Sequence, residues 1–171
     1  MKRVALVAVF CSLFLGALAQ HPESEEGFKD YFTKRGDGIG PLEGIWSVST
    51  TQEYYRFDTL YDVQKFPKVA KVAVMKDGDK FVSYGLAGEP FNVEFGTTDV
   101  NGVFLYRNFF PETSQYSKTH AVISKSGEME YTYEFPDDYL RLKLKNTYEE
   151  GTRVVNIIKW IRIFPEQGKT Q

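Results

Sequence analysis

The chain predicts an all-β fold: a single antiparallel up-and-down β-barrel of eight to ten strands with a short N-terminal helix. Three observations carry that expectation. Glu128-Met129-Glu130-Tyr131-Thr132-Tyr133-Glu134-Phe135 and Leu140-Arg141-Leu142-Lys143-Leu144-Lys145 alternate apolar and polar residues, the pattern of a strand with one face in a core and one in water. Strand-like segments follow one another at short intervals, with no helical segments between them, which removes the parallel α/β folds and leaves a sandwich or barrel. Finally, 14 Phe, 11 Tyr and 2 Trp make 16% of the chain aromatic, and many of them fall on the alternating positions that point inward.

The first nineteen residues read as a targeting segment. Lys2 and Arg3 form a basic start, Val4 to Leu15 are almost wholly apolar, and Ala17-Leu18-Ala19 is a small-x-small cleavage site, so export to the periplasm or outside the cell is expected, with Gln20 as the new N-terminus. A lipid anchor on Cys11 is disfavoured because Phe10 stands where a small residue is needed. No later stretch approaches the ~20 apolar residues that span a bilayer. Cleavage removes the only cysteine, leaving a domain that relies on packing and hydrogen bonds rather than disulfides or zinc-thiolate sites. The formal net charge of −2 argues against a nucleic-acid groove.

Residues 20–41 form a linker with a short helix. Gln20 to Glu26 are polar and read as loose; Ser24, followed by Glu25 and Glu26, starts a helix that Gly36 stops. Phe28, Tyr31 and Phe32 stand at i, i+3 and i+4, one apolar stripe. Asp37 to Pro41 turn the chain into the body, 42–165, and 166–171 form a tail.

Strands are expected near 43–51, 53–62, 67–76, 79–87, 90–98, 103–110, 116–124, 127–136, 139–148 and 152–164, ten segments that collapse to eight or nine. With Asp137-Asp138 as a two-residue turn, Phe135 faces Leu140, Tyr133 faces Leu142 and Tyr131 faces Leu144, while Glu134 meets Arg141 on the other face. Asp77-Gly78 and Asn101-Gly102 mark further hairpin tips. In 152–164 the β-branched Val154, Val155, Ile157, Ile158, Ile161 and Ile163 favour strand, with a bulge or burial on both faces.

Chemistry is sparse. The chain has no His-Glu-x-x-His, no Gly-x-Ser-x-Gly and no phosphate-cradling glycine loop, so no catalytic residue, metal site or cofactor is assigned. His120 sits mid-strand and reads as structural; Glu128, Glu130 and Glu134 fall on outward positions; Asp77-Gly78-Asp79 is turn chemistry. The inward aromatics Phe91, Phe95, Phe104, Tyr106, Tyr131 and Tyr133 either fill a core or line a pocket, since about eight strands enclose a space fitting side chains or one small ligand.

Gly44-Ile45-Trp46 after a helical lead-in resembles the Gly-x-Trp signature of the lipocalin-like calycins. The resemblance implies an eight-stranded barrel for small hydrophobic molecules, with Trp46 closing its bottom beneath a basic residue of the last strand, here Arg162. Thr98-Asp99 resembles part of the family's second motif, with Val100 in place of its aromatic residue; the C-terminal helix and disulfide of many members are missing. Leu42 to Trp46 and Trp160 to Pro165 are also similar to small β-domains of bacterial exported proteins. The expected function is therefore non-catalytic binding of a small hydrophobic or amphipathic ligand. A filled barrel acting as a protein-interaction, accessory or inhibitor module is the alternative, and a hydrolase using acidic residues at the barrel mouth is the third.

Overall fold

The computed structural model describes residues 21–166, so the targeting segment and its cleavage site lie outside the described residues. Eight antiparallel strands close into a barrel in sequence order: β1 (Gly44–Arg56), β2 (Thr59–Asp77), β3 (Lys80–Gly85), β4 (Pro90–Thr97), β5 (Val103–Phe110), β6 (Gln115–Ile123), β7 (Glu128–Glu134) and β8 (Thr152–Phe164). The all-β up-and-down topology matches the expectation and is compatible with a calycin-like fold. Two short helices, α1 (Glu25–Arg35) and α2 (Asp137–Leu144), flank it. Among the described residues no helix is long and apolar enough to cross a membrane.

Helix α1 starts and stops where its sequence indicates. Ser24 caps it by accepting from the Gly27 amide, and Gly36 ends it with φ 51°. Phe28 and Phe32 are fully buried with Ile45 and Ala73, the outward residues of β1 and β2. The helix thus lies against the outside of the barrel. The segment ahead of it is docked rather than loose: the His21 ring stacks on Tyr84 at 4.3 Å and its Nε2 lies 2.8 Å from the Gly88 carbonyl oxygen.

The first four expected segments become three strands. The first two and part of the third join into one long hairpin, β1 to β2, which turns at Phe57-Asp58. Asp77-Gly78 and Asn101-Gly102 fall at the β2–β3 and β4–β5 tips, with Gly78 at φ 59° and Gly102 at φ 76°.

The expected hairpin about Asp137-Asp138 does not form. Residues 137–144 are helix α2, and β7 pairs with β8 instead, with Tyr133 opposite Asn156 and Glu134 opposite Val155. Pro136, at φ −57°, starts the helix, and Asp137 binds Arg141 one turn on at 2.6 Å. Leu, Arg and Lys are good helix formers without β-branching, whereas β8 offers β7 a strand rich in Val and Ile, so tertiary pairing goes to the better strand former. Leu140 is the residue of α2 that becomes buried, and Glu134 pairs with Arg153 at 2.8 Å rather than with Arg141. The irregularity expected in β8 is real: its register with β1 shifts between Arg162 and Phe164. Its outer face is not buried throughout, since Ile157 and Ile161 are exposed.

Gly44 sits at that shift with φ 141°, and a Cβ there would lie 2.4 Å from the Phe164 carbonyl oxygen. Strain and clash then act together, so Gly44→Ala should lower stability by at least ~2 kcal/mol. Gly96, whose nearest would-be neighbour is Leu105 Cβ at 3.7 Å, should accept alanine with a change under ~1 kcal/mol. Denaturant melts of the two variants check the contrast.

Candidate functional site

The interior is best followed along the pairing rows that cross β2, β1, β8 and β7. From the closed end the inward residues are Val72, Trp46 and Arg162; then Ala70, Val48, Trp160 and Met129; then Phe66, Thr50, Ile158 and Tyr131; then Gln64, Gln52, Asn156 and Tyr133; then Asp62, Tyr54 and Val154. Above the closed end, polar side chains enter with Thr50 in the third row and dominate the fourth. Around Trp46 and Trp160 the interior is solid; from the third row upward the β2 side, Phe66, Gln64 and Asp62, is exposed, whereas Asn156 and Val154 on β8 remain buried.

At the closed end Trp46 is fully buried and its indole N–H donates to the Leu42 carbonyl at 3.0 Å. The Arg162 guanidinium lies over the Trp46 ring, 4.6 Å from its centroid, and donates to the Pro41 carbonyl. Such stacking contributes ~0.5–2 kcal/mol, more as the cation is desolvated. Burial holds the Arg162 pKa below its ordinary value. Sequence reasoning missed Glu43, which is 1% exposed and accepts from Arg35 at 2.8 Å, from the Gly40 amide at 2.9 Å and from the Lys76 amide at 3.3 Å. It fastens the end of α1 to β2; the signal available was only an acidic residue beside Gly44.

Four of the six inward aromatics form the solid part. Phe95, Phe104, Tyr106 and Tyr131 are buried in one cluster with Trp46 and Trp160. Phe95 meets Trp160 edge to face at 5.6 Å, and the Trp160 indole N–H donates to the Tyr131 hydroxyl at 2.8 Å. Tyr106 and Tyr131 have ring centroids 4.0 Å apart. Burial pushes the phenols of Tyr106 and Tyr131 well above their ordinary pKa. The other two, Phe91 and Tyr133, are half-buried at the margin of the core. Burial raises the Tyr133 pKa to about 12, against hydrogen bonds from the Tyr106 and Asn108 side chains that lower it.

Above this floor the barrel opens sideways. β3 pairs with β2 only from Val72 to Asp77, so Thr59 to Lys71 of β2 have β1 on one side and, among the described residues, no strand on the other. The inward Phe66 is 40% exposed, and Gln64 and Asp62 are exposed as well. A chain of hydrogen bonds lines this wall. The Gln64 amide donates to Asp62 at 2.9 Å, the Tyr54 hydroxyl to Gln52 at 2.8 Å, and the Gln52 amide to Asn156 Oδ1 at 3.0 Å. Asn156 is 1% exposed, yet its Nδ2 has no hydrogen-bond partner.

The remaining titratable residues do not converge on the interior. His120 lies on the outward face of β6 and is exposed. Glu128 and Glu130 point outward and pair with Lys159. Asp77-Gly78-Asp79 is a hairpin tip, and among the described residues no group of His, Cys, Asp and Glu is placed to hold a metal ion. Comparison with protein-family models, with curated proteins and with solved structures finds no match.

Arg162→Ala should lower stability by ~1–2 kcal/mol, from the lost stacking and the exposed indole face, and should shift tryptophan emission to the red as water reaches Trp46. An unchanged melt and spectrum would show that the guanidinium does not seal this end.

The buried phenols make a fall in stability at alkaline pH an expected outcome. Their folded pKa values lie above the unfolded value of about 10, so the neutral form favours the native state. Their contribution is complete below about pH 10 and is lost as the pH rises through the folded values. A phenolate absorbance titration should show exposed tyrosines ionising first, and Tyr106 and Tyr131 only with loss of the near-ultraviolet circular dichroism. Titration of all tyrosines as one ordinary class would contradict this.

Proposed function

We propose that the protein is a non-catalytic, lipocalin-like binder that takes a small amphipathic ligand into the open upper half of its barrel. The observation that carries the reading is the exposed inner face of β2, where Phe66, Gln64 and Asp62 are accessible beside the polar row of Gln52 and the buried Asn156. A ligand there would rest its apolar part on Tyr133, Phe91 and Phe66 and direct its polar part toward Gln52 and Asn156. Concave sites of this composition, mostly apolar with a few placed polar groups, are the usual form of small-molecule sites. Trp46 and Arg162 serve as the structural closure at the other end, and export through the N-terminal segment would place the binding outside the cytoplasm.

One observation favours a second reading, a protein-interaction module. The free edge of β2 exposes Leu60, Val63 and Val69, and an unpaired strand edge accepts an extended peptide through its backbone N–H and C=O groups.

The neutral dye phenylnaphthylamine separates the readings. It should bind saturably, one dye per chain, and be displaced by small amphipathic molecules. Phe66→Asp, at a side chain 40% exposed, should weaken it about tenfold with the thermal melt retained, because it puts a charge into an apolar contact. Absence of saturable binding, or binding indifferent to that change, would leave the interaction module as the better account.

A further inference from the structure

Asn156 has an environment that a purely structural amide does not need. Its strand places it inward in the fourth row, between Gln52 on β1 and Tyr133 on β7. Gln52 Nε2 donates to its Oδ1, and Gln52 Oε1 is in turn held by the Tyr54 hydroxyl. These two bonds fix which way both amides point. They leave Asn156 Nδ2 buried without a partner, a state that is unfavourable for an amide donor and uncommon in native interiors. The neighbouring Thr50 Oγ1, one row below on β1, is buried and unpartnered too.

The charge pattern around this donor is equally specific. The fourth row, Gln64, Gln52, Asn156 and Tyr133, is neutral throughout. Among the inward positions of these strands the charged residues nearest it are Asp62, one row above, and Arg56 beyond it at the strand end; Glu53, Lys65 and Glu134, one position away, fall on the outward face. Asp62 already accepts from Gln64 and from the Val63 amide, and Arg56 is paired with Glu149 at 2.8 Å. Arg162, the inward cation of the first row, lies at the opposite end with two rows of side chains between it and Asn156. An anionic head group entering the chamber would lose its hydration and meet a carboxylate at the rim.

We infer that the ligand is uncharged and is recognised through one acceptor oxygen, a carbonyl or ester, by Asn156 Nδ2, with Gln52 and Tyr54 as positioning residues. The inference rests on the reading of the open half as a binding chamber. The polar row then selects by hydrogen bonding, and the tyrosine floor supplies the apolar contact. A site that offers a fixed donor discriminates against analogues lacking the acceptor, since occupation by such a molecule leaves the donor unpaired.

Three dyes test it on the intact protein: prodan, a neutral ketone; phenylnaphthylamine, neutral with no carbonyl; and anilinonaphthalene sulfonate, an anion. Prodan and phenylnaphthylamine should both bind, and the sulfonate should bind at least about tenfold more weakly than phenylnaphthylamine. Asn156→Leu, which keeps the size and removes the donor, should weaken prodan about tenfold and leave phenylnaphthylamine within about twofold. Asn156→Val, also neutral, without a donor and well suited to a strand, should show the same selective loss of prodan, which preserves the test if the leucine variant folds poorly. Equal losses for both neutral dyes, no loss for either, or sulfonate binding as tight as that of phenylnaphthylamine would each overturn the inference. Failure of phenylnaphthylamine to bind the unaltered protein would remove the chamber itself, an outcome distinct from loss of the Asn156 contact alone.

Discussion

The stacking of Arg162 on Trp46 is the contact on which the rest of the interior is registered. It joins the first strand to the last at the closing seam of the barrel, so it fixes β1 against β8. A shift of one residue would turn every side chain of β8 to the other face. With Trp46 opposite Arg162, the two-residue steps along the seam place Val48 by Trp160, Thr50 by Ile158 and Gln52 by Asn156. Leu42, Pro41 and Glu43 bring the preceding chain into the same corner, and α1 then covers the outer face of that seam.

From this end the interior changes character in an order set by strand length. Around Trp46 and Trp160 the interior is filled by aromatic edges meeting aromatic faces, and the indole N–H groups are satisfied by the Leu42 carbonyl and the Tyr131 hydroxyl. Higher up, β2 continues after β3 has ended. Its inner face therefore meets solvent, and residues such as Gln64 and Asp62 can occupy inward positions without being desolvated. The polar row around Asn156 lies at the boundary between these regimes. The Asn156 Nδ2 donor lies at that boundary, buried and without a hydrogen-bond partner.

Much of this was legible in the sequence, for reasons that differ between elements. Ser24, the Phe28 and Phe32 stripe and Gly36 define α1 through purely local chemistry, which no tertiary contact overrides. The alternation of Met129, Tyr131 and Tyr133 assigns the inner face of β7 correctly, and Gly44, Trp46 and Arg162 are found together at one end. The segment Leu140 to Leu144 misled because two-residue alternation and helix propensity coexist in it. The choice was made by β8, which lies later in the chain and pairs more strongly with β7. The β1–β2 hairpin was divided because Pro67 and the local irregularities interrupt its pattern. The row of Gln64, Gln52, Asn156 and Tyr133 was hidden for a further reason: its members come from four strands, and each alone is an ordinary polar or aromatic residue. Register brings them together, and register is a non-local property.

The central claim is that the barrel is solid around both tryptophans and open above them. Collisional quenching of tryptophan emission by acrylamide tests it most directly. Trp46 and Trp160 are both fully buried in the lower rows, so the unaltered protein should emit in the blue and resist quenching, while Phe66→Trp should add one red-shifted, readily quenched component. Ready quenching of the unaltered protein would mean that the lower rows are hollow, and shielded emission from the added tryptophan would mean that the upper half is closed; either result would contradict the account.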